Sequence, residues 1–392
     1  MKENIKEIVN NEKVKKISQI FYLIGIVFFC LKFFSEKCAL FVINDNIFAI
    51  ILCFCFFQKM LIQGYTKKQL CITLISGIIC TYVGFITKEY IIFYLYLAIF
   101  SSKNVDIKKI IKVCFWTILT LLSICTIIYT VKLLIGNDVP IVYRNDGSAR
   151  YTFYLNHPNM YAGVILWLSA MVLYLKYYNM KIRDYVMIFV VNIFTFMLTD
   201  SRTSLISFAL LIVLFIISKK CKENNKYYKM IAKYSFLVMG IITILLAIWY
   251  LINKNNVIIN NLNEFFSQRI FLLGAAIEKY GISILPRAID LTEKIRWESG
   301  AIRELYIDSI YARAFIKYGI AYLIYLFYFC TNLINKKTTN REIPFVILFA
   351  IVGMMEKYII FPVIGFSLFF YKFALWDENN LDEREEKIKR LD

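Results

Sequence analysis

Histidine is almost missing from this chain: His157 stands alone among 392 residues. No CxxC pair accompanies it, so a zinc-type centre has no ligand set. No glycine-rich phosphate loop occurs, which leaves no nucleotide cradle. Charge is scarce as well, with Asp, Glu, Lys and Arg at 19% against 59% hydrophobic residues, and mean hydropathy is +0.60. A soluble chain of this length cannot hide that much apolar surface. The apolar runs do not alternate with polar residues, which excludes an outer-membrane barrel. An all-α, polytopic membrane bundle is what remains, because only helices then satisfy the backbone in lipid.

The charge that is present is one-sided, with a net +18. The lysines fall between apolar runs, so membrane orientation explains them and no nucleic acid is implied. The 10 cysteines lie mostly inside the apolar segments and read as small buried hydrophobes. The basic N-terminus runs into Ile17–Phe34, which is longer than a signal-peptide core, and no A-x-A-like site follows; it reads as a retained first span.

About twelve spans can be drawn at the ~20 residues a bilayer requires, some shorter. They are Ile17–Phe34, Asn46–Ile62, Leu70–Thr87, Tyr90–Phe100, Ile110–Ile135, Met160–Tyr178, Tyr185–Thr199, Thr203–Ser218, Tyr234–Ile252, Ser309–Leu333, Ile343–Met355 and Tyr358–Leu375. Lys88–Glu89 and Glu356–Lys357 interrupt apolar runs and read as tight hairpins at the outer surface. With these spans every lysine cluster falls on one side, the cytoplasm, and both termini with it. Residues 1–375 then form one membrane domain, and 376–392 a cytoplasmic tail of mixed charge. Three polar pieces face outward: Gly136–Asn159, the turn Asp200–Arg202, and Asn253–Asp308.

Arginines collect in those outward pieces, against the positive-inside rule. Arg144 and Arg150 precede Asn156-His157-Pro158-Asn159, where Pro158 suits a first helical turn and would hold His157 and Asn159 at the outer mouth. Thr199-Asp200-Ser201-Arg202 turns into a helix whose free N–H groups, with Arg202, suit a phosphate. An ordinary capped turn with Arg202 reaching lipid headgroups is the other reading. Asn263–Gly281 has its apolar residues at near-helical spacing and reads as an amphipathic helix on the outer face, with Arg269 in its first turns. It either packs at the interface or covers a lipid-linked substrate. Glu304 and Asp308 sit where the long loop enters the tenth span, and Arg313 and Lys317 share one face of that helix. A carboxylate beside arginines stays ionised and suits a general base.

Taken in order, these stretches resemble the O-antigen ligase/polymerase superfamily, and in particular the Wzy-type polysaccharide polymerases. Arg144 and Arg150 followed by His157-Pro158-Asn159 are similar to the family's Arg-then-HPN stretch, and Thr199–Arg202 to its T-x-S-R turn. FFSQRIFLLGAAIEKYG resembles its S-G-R segment, with Gln268 in place of glycine. YIDSIYARAFIKYGI resembles its D-N-x-Y stretch, with Ser309 in place of asparagine. The resemblance covers Arg144 to Ile320.

It implies a GT-C-like architecture and a metal-independent, inverting glycosyltransferase acting outside the bacterial cytoplasmic membrane without a cofactor. The donor would be a glycan on undecaprenyl diphosphate and the acceptor a hydroxyl of another lipid-linked repeat unit. A flippase and a chain-length regulator are the partners expected with it. Arg144, Arg150, His157, Asn159, Arg202, Arg269 and Arg313 would hold substrate and diphosphate. The base stays open between Asp308, Glu304 and none. A ligase moving the glycan to another acceptor, and a lipid-linked oligosaccharide transporter, are the rival readings; the absence of a histidine from the long loop sets the chain apart from the ligases.

Overall fold

The computed structural model describes residues 12–376 apart from 42, 145–146, 224, 290–293, 297–301 and 336. The basic stretch before residue 12 and the tail from 377 lie outside the described residues, and so do the side chains of 295–296 and 302–304.

Within that range the chain is a helical bundle. The helices are α1 (Glu12–Lys37), α2 (Asp45–Ile62), α3 (Lys67–Thr87), α4 (Ile91–Phe100), α5 (Ile107–Leu134), α6 (Pro158–Leu175), α7 (Ile182–Thr199), α8 (Arg202–Lys220) and α9 (Lys226–Ile252). Then follow α10 (Val257–Phe265), α11 (Arg269–Tyr280), α12 (Ile310–Arg313), α13 (Ile320–Thr331), α14 (Ile343–Val352) and α15 (Lys372–Leu375). The strands are two small antiparallel hairpins, β1 (Ile141–Tyr143) with β2 (Ala149–Tyr151), and β3 (Lys294–Arg296) with β4 (Ile302–Glu304).

Among the described residues eight helices, α1–α3 and α5–α9, are long and apolar enough to cross a membrane. The other four expected spans are shorter: α4, α13, α14 and the stretch Phe366–Leu375. At ~1.5 Å per residue, such helices reach only part of the way through a bilayer core. The protein is a multi-pass membrane protein by helix length and hydropathy.

α6 is the central post. Its apolar window is 72% buried, against 28% for α7 and 33% for α8, so neighbours surround it rather than lipid. Trp167 and Tyr174 are fully enclosed and meet the ring of Phe366 at 5.9 and 5.7 Å. A helix packed on all sides has a fixed tip, and the tip of α6 carries His157-Pro158-Asn159. Gly163 matters here because a Cβ would fall 1.6 Å from the Tyr358 hydroxyl, so glycine makes room for that buried side chain, next to Lys357.

The connections sort to the two ends of the bundle. At one end the basic turns meet: Gln63 bonds the Phe100 carbonyl at 2.6 Å, Asn340 bonds Cys221 at 3.0 Å, and Lys337 bonds Trp376 at 3.0 Å. At the other end lie the α1–α2 connection, the turn at Lys88–Glu89, the β1–β2 hairpin, the α7–α8 turn, and the chain around Asp308 and Glu356.

Two expectations change. The apolar stretch Ser309–Leu333 is not one span: after α12 it widens into a π turn, Ala314–Tyr318, and breaks at Gly319. The cause is tertiary. The segment after α11 runs in beside it, with Ile320 N–H donating to Ser283 at 2.8 Å and Arg287 N–H donating to Lys317 at 3.0 Å. Arg287 also donates through Nε to the Ile316 carbonyl at 2.8 Å, taking up an acceptor the break leaves open. Gly319 has φ +87, and a Cβ would lie 2.6 Å from the Ile284 carbonyl oxygen. Gly319→Ala should therefore cost about 1–3 kcal/mol, read as a lower midpoint of thermal unfolding in detergent; an unchanged midpoint would mean the break is not held by this contact.

The second change concerns Asn263–Gly281, which is two helices rather than one. Ser267 and Gln268 both take positive φ, 54 and 65, and part α10 from α11. The Asn263 amide donates to Gln268 Oε1 at 2.6 Å, and its oxygen accepts from the Phe271 N–H at 2.9 Å, which fixes the corner. α11 then lays Ile270, Leu273 and Ala276 against α9.

Candidate functional site

The loop end of the bundle encloses a cavity of about 1020 Å³. Nine lysines and arginines face it against six carboxylates, so its field favours an anion. Of the residues named from sequence, Arg144, Arg150, His157, Asn159, Arg202, Arg269, Asp308 and Arg313 all line it. They come from four separate stretches of chain. Glu304 belongs to β4, and its side chain is outside the described residues.

One wall is built on the tip of α6 and the α7–α8 turn. Arg150 leaves β2, is buried, and donates through Nε to the Thr199 carbonyl at 2.8 Å and through Nη2 to Asn159 Oδ1 at 2.5 Å. Arg144 leaves β1's end and grips Asp200 twice, on its carboxylate and on its carbonyl, both at 2.8 Å. Asp200 has φ 44 and closes α7 in the left-handed region, which frees Ser201 and Arg202 to open α8. The Ser201 side chain bonds Ser204 at 3.0 Å rather than capping the backbone, so the first N–H groups of α8 have no side-chain partner. Arg202 is exposed and makes no ion pair with any described residue. Burial, and then the charges of Arg144 and Arg202, lower the Arg150 pKa, with Asp200 opposing. Three crowded guanidinium groups beside a helix N-terminus gain by taking up an anion.

His157 is the cap of α6: its Nδ1 accepts the Asn159 N–H at 3.1 Å, with Pro158 in the first turn. Its pKa is pushed down to about 4, by the recess first and then by Arg150 and Arg269, with Asp308 opposing. The ring is exposed to the cavity yet sits low among the surrounding loops. It is neutral near pH 7 with Nδ1 occupied as acceptor, so Nε2 carries the proton. His157 is thus a hydrogen-bond donor into the cavity, not a ready base.

Asp308 lies on the floor. The helix beyond it is capped by Ser309, whose hydroxyl accepts the Ala312 N–H at 3.4 Å and donates to the Gly353 carbonyl at 3.3 Å. Asp308 itself has no hydrogen bond or ion pair with any described residue. Arg269 opens α11 and pairs with Glu356 at 3.1 Å. Its Nε is buried without a partner. Glu356 is pushed up to about 7, by burial and by Asp308, against Arg269 and Lys357.

Arg313 and Lys317 do share a face, and what meets that face is Glu89, from the α3–α4 turn. Arg313 pairs with Glu89 closely, Lys317 donates to it at 2.7 Å, and Tyr318 donates to its other oxygen. Burial opposes the Glu89 charge, but Arg313 and Lys317 outweigh it and hold its pKa down at about 2. Arg313 also donates through Nε to the Ile307 carbonyl at 2.8 Å, so the cluster fixes the backbone next to Asp308.

Glu89, Glu356 and Lys357 were not picked out from sequence as site residues. Their signal was there: each interrupts an apolar run, and such charges usually mark a site. As hairpin tips they had a sufficient topological explanation. Comparison with protein-family models, with curated proteins and with solved structures finds no match for this chain. It stands as a multi-pass helical membrane protein with a charged cavity at one end of its bundle.

Proposed function

We propose that the chain is a polysaccharide polymerase that joins lipid-diphosphate-linked repeat units at the outer face of the cytoplasmic membrane, as a Wzy-type enzyme does. The observation that carries this reading is the convergence of Arg150, Arg202, His157, Arg269 and Asp308, distant in sequence, on one cavity. In the reaction the acceptor hydroxyl oxygen forms a bond to the donor sugar's anomeric carbon as the bond from that carbon to the diphosphate oxygen breaks. The hydroxyl proton passes to the Asp308 carboxylate. The diphosphate leaves with its electron pair toward Arg202, Arg150 and the α8 N-terminus, which receive the growing charge without moving. His157 Nε2–H is a neutral donor for a sugar hydroxyl. No metal or cofactor is needed. Attack opposite the leaving group inverts the anomeric carbon.

The break at Gly319 favours a second reading, since interrupted helices beside a cavity also serve transport. Purified protein in vesicles, supplied with lipid-diphosphate-linked repeat units of its own pathway, separates the two. A ladder of lengthening lipid-linked glycan supports the polymerase. Movement of unit-length glycan across the bilayer with no ladder would establish transport instead, and its transfer to another acceptor would establish a ligase.

The orientation has its own test. The cavity end should face outward, because the lysine-rich turns lie at the other end. In a cysteine-free background, single cysteines at Ser148 and Asn255 should react with an impermeant thiol reagent in intact cells. Protection of both would invert the topology and place the chemistry on the wrong side for this reaction.

A further inference from the structure

The arginine wall accounts for one anion. The same cavity is lined by cations that the proposed reaction leaves unused: Lys32 and Lys37 from the end of α1, Lys88 from the α3–α4 turn, and Lys357 from the turn after α14. Two are already engaged, Lys32 with Asp45 at 2.5 Å and Lys37 with Glu36. The ammonium groups of Lys88 and Lys357 have no hydrogen bond or ion pair with any described residue. Lys357 is only partly exposed, and it is held firmly, because the next residue, Tyr358, is buried against Gly163. Burial first, and then Arg313 and Lys37, push its pKa down to about 8, with Asp308 and Glu89 opposing. Asp308 and Glu89 offset the cost of this burial only in part, so the recessed ammonium gains by meeting a further anion. Asp308 lines the same cavity, and its charge acts on both His157 and Lys357.

We infer that Lys88 and Lys357, backed by Lys37, form a second anion subsite in this cavity that takes a carboxylate or phosphate group of the acceptor glycan. The subsite stands on the cavity alone, and its assignment to the acceptor rests on the polymerase reading. Lysines are point charges without a fixed fork, which suits a group presented at variable angles. An acidic group held there sets the acceptor's hydroxyl near Asp308 while the donor's diphosphate lies on the arginine side.

The test needs no turnover. Wild-type protein in nanodiscs is acetylated with a water-soluble active ester at pH 8, and modification of Lys357 is followed by mass spectrometry. Inorganic pyrophosphate and glucuronate are the probes, with glucose as the neutral control. At least one anion should slow acetylation of Lys357 about tenfold, and glucose should not; a single charge-assisted contact is worth that much. Protection by glucuronate identifies a sugar acid as the group, and protection by pyrophosphate alone identifies a phosphate. Lys88→Gln should weaken the protection, and Arg202→Gln should leave it intact. Lys357 unprotected by either anion, or protection lost in Arg202→Gln, overturns the second subsite. Protection that persists in protein unable to extend glycans would keep the subsite and remove only its assignment to the acceptor.

Discussion

Replacing Arg150 by lysine should lower polymer formation by about 10²–10³-fold while the chain still inserts. Lysine keeps the charge but loses the planar fork. Arg150 uses that fork to join the two pieces of its wall, Thr199 of the α7–α8 turn and Asn159 at the tip of α6. Without it both acceptors lose their donor, at about 1–3 kcal/mol each where buried, and the α8 N-terminus is no longer fixed against α6. The variant therefore loses stability as well as activity. Arg202→Lys supplies the control. Arg202 has no ion pair to lose, so its variant should keep the wild-type unfolding midpoint and still lose most of the polymer. The measurement is glycan ladder length from purified lipid-linked units beside thermal unfolding of each variant. Full ladders from Arg202→Lys would reduce that wall to a structural clamp.

That wall could be read in sequence to a useful depth, and the reasons are local. Pro158 in a first helical turn, the turn after Thr199, and a hairpin at Lys88–Glu89 each follow from a few neighbouring residues, and the structure places all three there. The number and order of apolar runs likewise come from composition. Four of those runs do not make full-length helices: Tyr90–Phe100 and Ile343–Met355 are short already in sequence, Ser309–Leu333 is divided at Gly319, and Tyr358–Leu375 is broken into 3-10 turns. The break at Gly319 was hidden for a different reason. Gly319 itself is a weak signal inside a run that reads as one span, and the partner that opens the helix is the loop around Ser283–Arg287. Arg313 and Lys317 show the same limit. Their common face is visible from their spacing, but Glu89, which neutralises it, lies 224 residues from Arg313. Gln268 stands at φ 65, a conformation that glycine adopts without strain, at the position where the resemblance expects glycine.

Asp308→Asn should keep expression and lipid-linked substrate binding and lower polymerisation by about 10²–10⁴-fold. Capping cannot explain such a loss, since Ser309 caps the helix and asparagine preserves the shape of the aspartate. What asparagine removes is a carboxylate that lines the cation-rich cavity and has no hydrogen bond or ion pair with any described residue. The neighbouring Glu356 supplies a second, independent readout. Its pKa stands at about 7 because burial and the Asp308 charge raise it against Arg269 and Lys357. Asparagine at 308 deletes one of the raising causes, so the Glu356 midpoint should move to lower pH. Glu356 lines the same cavity, and once ionised it can accept a proton, so the residual activity of Asp308→Asn should rise with pH through that shifted midpoint. The double variant Asp308→Asn, Glu356→Gln should then show residual activity with no such rise. A pH–rate profile on purified lipid-linked repeat units reads both effects. Near-normal synthesis by Asp308→Asn would remove it from the mechanism, and a residual activity indifferent to pH would leave Glu356 as no more than the partner that holds Arg269 in place.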